Sequence, residues 1–302
     1  MKNFKGGTAV ITGAGSGFGL ETSRIAARLG MNIVMADVQQ DALDAAVAEI
    51  ESLGAKVLPF RLDVAKAAEV EAMGVATAKR FGVPTFVFNN AGVGIGGLIW
   101  EQSLKDWEWV VGVNLMGVAH GVRVFTPMML DAAKKNPDYE GHIVNTASMA
   151  GLLNAPNMSI YNVTKHAVVS LSETLYQDLR LVTDQIGASV LCPYYVPTGI
   201  SNSGRNRPAD MKDDDGPTKS QLIAQAMATK AVASGRVTAA IIAQRVFDAI
   251  AEDQFYIYSH PHALASVQVR MEDVVSGRNP TDPFAHMPEL GDQLRAALRA
   301  AV

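Results

Sequence analysis

The sequence predicts an α/β protein built on one doubly wound parallel sheet of about seven strands, with helices on both faces. Three observations predict it. Short β-branched runs alternate with longer stretches of helical period. The first such run is followed at once by a cluster of glycines. No internal repeat or linker interrupts the rhythm, and right-handed crossovers turn that order into a doubly wound sheet.

The strands are expected at Thr8–Thr12, Asn32–Ala36, Val57–Leu62, Thr85–Phe88, His142–Thr146, Ala188–Cys192 and Phe255–Tyr258. The helices between them are expected at Gly19–Leu29, Asp41–Leu53, Ala65–Phe81, Leu104–Ala133 (with room for a break near its middle), Ser159–Val182 and Thr238–Glu252. Two segments depart from the pattern. Residues 199–235 open as a polar excursion, SNSGRNRPADMKDDDGPTK being its core, and turn helical from Gln221 to Ala233. Residues 261–302 form a proline-rich extension that ends in a short helix, Leu290–Ala300. The organisation is therefore one domain over 1–260, excursion included, plus an extension that packs on that domain or on a neighbouring subunit.

Composition narrows the function. Of 302 residues, 26 are Lys or Arg and 30 are Asp or Glu, for a net charge of −4. That balance lacks the basic surplus of a nucleic-acid binder. No run reaches the ~20 apolar residues of a membrane span, and the N-terminus lacks a secretory h-region, so a cytoplasmic protein is expected. The single cysteine, Cys192, excludes an intrachain disulfide and a cysteine zinc site. No metal is expected elsewhere. His260 and His262 have no further ligand at useful spacing, and Asp213–Asp215 read as a solvated loop. Met73, Met116, Met128, Met129 and Met227 read as core or lid filler.

The glycine turn carries the first chemistry. Gly13, Gly15, Ser16, Gly17, Phe18 and Gly19 lie between the first strand and the first helix, with the spacing GxxxGxG. Glycines let the backbone approach a pyrophosphate, and the helix start offers free N–H groups and a positive dipole end. Asp37 ends the second strand, where a carboxylate accepts from both ribose hydroxyls of NAD and repels a 2′-phosphate. Val38, Gln39 and Gln40 add no positive charge. NAD is expected in preference to NADP.

Tyr161 and Lys165 stand at i, i+4 on one face of a helix. An ammonium within about 4 Å of a phenolate is worth ~4 kcal/mol at an effective dielectric of ~20. That would bring a phenol from ~10 towards ~7, a base suited to alcohol oxidation. Ser148 follows the fifth strand and can hold a substrate oxygen. Asn114 lies in the long helix before it, and Asn89-Asn90-Ala91-Gly92 closes the fourth strand.

With TGxxxGxG, NNAG, Ser148 and YxxxK in this order, residues 4–260 resemble the short-chain dehydrogenase/reductase family. The resemblance implies a Rossmann-type fold and metal-free hydride transfer with a nicotinamide cofactor. It implies a catalytic tetrad of Asn114, Ser148, Tyr161 and Lys165. In it Tyr161 is the acid/base, Lys165 binds the nicotinamide ribose and Asn114 holds a relay water. Asp63 and Val64 match adenine contacts. Asn90, Ala91 and Gly92 match the turn that supports the cofactor, and Val196 and Thr198 match contacts to the nicotinamide carboxamide. A homotetramer or homodimer is implied, joined through the long helices. One departure stands out: Tyr194 occupies the place of the family's glycine in the segment PYYVPT. It either lines and narrows the substrate pocket or packs against the 199–235 excursion.

Val93, Ile95, Met149, Leu152 and Asn154 complete the expected pocket, and its apolar cast favours a secondary alcohol or ketone with a lipophilic or aromatic body. The expected activity is NAD-dependent, reversible oxidation of such an alcohol. A carbonyl reductase using NADPH and a non-catalytic NAD-binding sensor are the alternatives.

Overall fold

The structure is a computed structural model and describes residues 1–301. Seven strands form one parallel sheet: β1 (Thr8–Thr12), β2 (Asn32–Asp37), β3 (Val57–Arg61), β4 (Phe86–Asn89), β5 (Gly141–Thr146), β6 (Ile186–Cys192) and β7 (Tyr256–Tyr258). Their order is β3-β2-β1-β4-β5-β6-β7, every neighbour pair parallel. The order reverses between β1 and β4, which opens a crevice beyond their carboxyl ends.

Alternate residues of each strand feed two cores. On one face Ile11, Ile33, Met35, Phe86 and Phe88 pack against α1 (Gly17–Arg28), α2 (Gln40–Ser52) and α8 (Ala239–Glu252). On the other, Val10, Val34, Val87 and Ile143 meet α3 (Ala67–Phe81), α4 (Leu104–Val111), α5 (Gly117–Lys135) and α6 (Ser159–Val182). Burial of both faces explains why these strands read as continuous apolar runs rather than as alternating ones.

The long helix predicted over 104–133 is not broken. It continues from α4 to α5 through a π-helical turn, Gly112–Met116, whose backbone stays right-handed helical. After β6, two short 3₁₀ turns lead to α7 (Lys219–Ala233). The extension holds one more helix than expected, α9 (Leu264–Val275), before α10 (Pro288–Arg299). Helix α9 buries only Asp273 among its residues.

Two other expectations are corrected. Met116 is exposed rather than core. Asp213 is not simply solvated: its carboxylate accepts from Ser103 Oγ at 2.9 Å and pairs with Arg207 at 3.1 Å, while Asp214 and Asp215 are exposed. No described helix is long and apolar enough to cross a membrane. Among the described residues no cluster of His, Cys, Asp and Glu could hold a metal.

Candidate active site

The crevice widens into a cavity of about 1080 Å³. That is at the top of the roughly 300–1,000 Å³ span of ligand pockets. At one end lie Gly13, Ser16, Gly17, Phe18, Asp37, Asp63 and Val64. Asn90, Ala91, Gly92, Ser148, Tyr161, Lys165, Val196 and Thr198 line the middle, and Val93, Ile95, Met149, Asn154 and Tyr194 the far side. Four expected residues, Leu152 among them, do not line it. Gly15, Gly19 and Asn114 stand behind the wall and shape it.

The glycine turn is built by close packing. A Cβ at Gly19 would lie 2.2 Å from the Gly13 carbonyl oxygen. A Cβ at Gly15 would lie 2.9 Å from Asp37 Oδ2, the atom that accepts from Gly15 N–H, also at 2.9 Å. Asp37 Oδ1 accepts from Gln39 N–H at 3.0 Å. Ser16, the residue before α1, makes no side-chain cap, and the first turn carries no acidic residue. The first-turn N–H groups therefore keep their capacity for an anion. The donor set and the carboxylate fit a dinucleotide whose pyrophosphate meets the turn and whose ribose meets Asp37.

Thr12 joins the strand ends. Its hydroxyl accepts from Asn90 N–H at 2.9 Å and from Ala91 N–H at 3.0 Å, and Asn90 Nδ2 donates to the Thr12 carbonyl at 3.0 Å. Asp63 accepts from Ala65 N–H at 3.0 Å, fixing the loop after β3.

Ser148 ends the loop after β5. Its hydroxyl donates to the Pro193 carbonyl at 3.3 Å and accepts from Ala150 N–H at 3.1 Å. Tyr161 and Lys165 descend from the first turns of α6. The chain enters that helix under strain: Asn157 and Ser159 have φ of 62° and 32°, a left-handed backbone that side chains disfavour. Lys165 Nζ donates to the Thr146 carbonyl at 2.9 Å and stands 5.6 Å from the centre of the Tyr161 ring.

The influences on the Tyr161 phenol are two. Burial is the leading influence and raises the phenol, while a hydrogen bond with Ser148 pulls it the other way. Burial also lowers Lys165, to about 8. Asn114 is held equally firmly. It sits on the π-helical turn, and its side chain exchanges two hydrogen bonds with Val93, accepting at 2.8 Å and donating at 2.9 Å, with a further donation to Thr164 Oγ1 at 3.3 Å. Those bonds occupy both amide hydrogens, so the side chain holds the loop after β4.

Tyr194 is half exposed and lines the cavity; its ring stands 4.5 Å from that of Tyr195 and 5.9 Å from that of His260. Its main-chain N–H donates to Ser259 Oγ, just past β7, at 2.7 Å. Leu152 is buried in the core, and Leu153 lines the cavity in its place. Tyr195 and Met158 also line it. Their signal was position: one follows Tyr194, and the other precedes α6.

A family model described as short chain dehydrogenase matches residues 7–209. The chain belongs to the short-chain dehydrogenase family. A member of that family from Burkholderia phymatum, solved in complex with NAD, superposes with a TM-score of 0.91 at 52% identity, covering 94% of this chain and 99% of that one. The "CLA biosynthesis dehydrogenase/reductase" of Lactiplantibacillus plantarum is 33% identical over 93% of this chain and 97% of its own. The 1-deoxy-11-beta-hydroxypentalenate dehydrogenase of Streptomyces exfoliatus is 31% identical over 88% and 87%. The family match ends at residue 209, so α7, α8, β7, α9 and α10 lie outside it.

Proposed function

We propose that the chain is an NAD-dependent oxidoreductase that interconverts a secondary alcohol and its ketone, the substrate having a lipophilic or aromatic body. The observation that carries this reading is the convergence of Ser148, Tyr161 and Lys165 on the cavity that also holds the glycine turn and Asp37. NAD, when bound, would supply the hydride acceptor and, in its oxidised form, a positive charge favouring the phenolate against the effect of burial.

The chain's own residues would do the rest. Tyr161 takes the hydroxyl proton of the alcohol in one direction and returns it to the carbonyl oxygen in the other. Ser148 steadies that oxygen. Lys165 holds ribose hydroxyls and, titrating near 8, exchanges its proton close to neutral pH. Asn114 acts as a positioning residue through Val93. Asp37 accepts from the adenosine ribose; Asp63 and Val64 flank the adenine; Val196 and Thr198 face the carboxamide. Val93, Ile95, Met149 and Tyr194 support the lipophilic reading of the substrate.

One observation favours the alternative cofactor. Arg205 Nε donates to Gln39 Oε1 at 3.1 Å, which puts a cation beside the turn after Asp37. The Asp37 carboxylate outweighs it in our reading, because it stands in the cavity wall with its own bonds already fixed. A homodimer or homotetramer is supported by exposed Leu104, Met116 and Val163 on the long helices.

The test is a screen of secondary alcohols with NAD and with NADP, followed by absorbance of the reduced cofactor. Turnover with NAD is expected. Tight NAD binding with no turnover of any alcohol would favour the non-catalytic sensor.

A further inference from the structure

The extension does more than lengthen the chain. Residues from α7, from α9 and from the 280–290 segment line the same cavity as Tyr161. Much of this wall is apolar, with Met158, Met227, Val269, Val274, Met287 and Leu290 facing the space.

The charges on it are unevenly matched. Asp273 is buried and engaged twice: it accepts from Thr281 N–H at 2.9 Å and pairs with Arg278 at 3.1 Å. Asp282 pairs with Arg295 at 2.5 Å. Asp37 and Asp63 lie at the dinucleotide end and take main-chain N–H groups. Every cavity-lining carboxylate is therefore engaged. Two cavity-lining cations are not. Arg270 of α9 is half-buried and Lys230 of α7 is exposed, and neither has a hydrogen-bond or ion-pair partner among the described residues. Both are open to an anion entering the cavity, and a guanidinium meets a carboxylate through paired charge-assisted hydrogen bonds.

We propose that Arg270 and Lys230 bind the carboxylate of the substrate, which is then a lipophilic hydroxy acid or oxo acid whose body crosses the apolar wall and whose alcohol or ketone reaches Tyr161. This rests on the alcohol–ketone reading above. A single carboxylate suits two cations; a polyphosphate head would call for more. The guanidinium fork matches a carboxylate, and the lysine adds a screened, salt-sensitive attraction.

Calorimetry on the NAD-loaded protein with decanoate and with 1-decanol as probes tests this. Decanoate is expected to bind at least tenfold more tightly than the alcohol of equal chain length. The double variant Arg270→Gln, Lys230→Gln should lose that preference while its affinity for 1-decanol stays within twofold and its melting temperature is unchanged. Equal affinities in the wild type, no binding of decanoate, or equal losses for both probes in the variant would overturn the proposal. Turnover of secondary hydroxydecanoates is measured in parallel. A preference for decanoate without oxidation of any hydroxy acid would refute the oxidoreductase reading and leave the anion site standing. Oxidation of neutral alcohols without any preference for acids would refute only the anion site.

Discussion

Gly15 N–H donates to Asp37 Oδ2 at 2.9 Å, and any side chain on Gly15 would enter the space of that same carboxylate. One contact thus fixes both the turn and the carboxylate that we propose meet the pyrophosphate and the ribose. Gly15→Ala should push Asp37 out of place and weaken NAD binding at least tenfold, with a stability loss of about 1–3 kcal/mol from overpacking. Asp37→Ala should leave the fold intact and raise affinity for NADP relative to NAD at least tenfold, because the like-charge repulsion of a 2′-phosphate is removed. Titration of both cofactors against both variants checks the pair.

The excursion after β6 is latched to the start of α4. Arg207 pairs with buried Asp106 at 2.6 Å and with Asp213, and stacks over Trp109. Asp106 also accepts from Gln221 Nε2 at 3.0 Å, so the same carboxylate holds the first turn of α7. Arg207→Met strands a buried charge, at a cost of about 3 kcal/mol. It should raise KM several-fold with a smaller change in kcat, and expose the 205–218 segment to limited proteolysis. Equal proteolysis of variant and wild type would contradict the latch.

His142 gives the fold an acid limit. It is buried between β5 and β6, where Nε2 meets Ser189 Oγ at 2.7 Å, and burial lowers its pKa to about 3. An unfolded histidine titrates near ~6.5. Below that pH the unfolded chain takes up a proton that the folded chain refuses. The stabilisation is complete above pH 6.5 and is lost towards pH 3, at about 1.4 kcal/mol per pH unit. His142→Gln keeps a polar partner for Ser189 without titrating, so its denaturation midpoint should fall less steeply with pH across that window.

Much of the architecture was legible because both faces of the sheet are covered. That makes β1, β4 and β5 fully buried and their sequences unmistakable. The glycine turn and the Tyr161–Lys165 pair were legible because their spacing is local. What escaped the sequence depends on distance along the chain. Asn114 turns out to serve Val93, a partner set by the π-helical turn and not by spacing. The balance of influences on Tyr161 depends on burial, which no pattern of i, i+4 residues reveals. Helix α9 buries only Asp273, because one of its faces borders a cavity rather than a packed core.

The central claim is that Tyr161 moves the proton. The most direct measurement is the initial rate of NADH formation from a turned-over secondary alcohol by Tyr161→Phe, with NAD affinity measured alongside. The account predicts a fall of about 10³-fold in kcat with NAD affinity within twofold of wild type. A variant that forms NADH at the wild-type rate would contradict it.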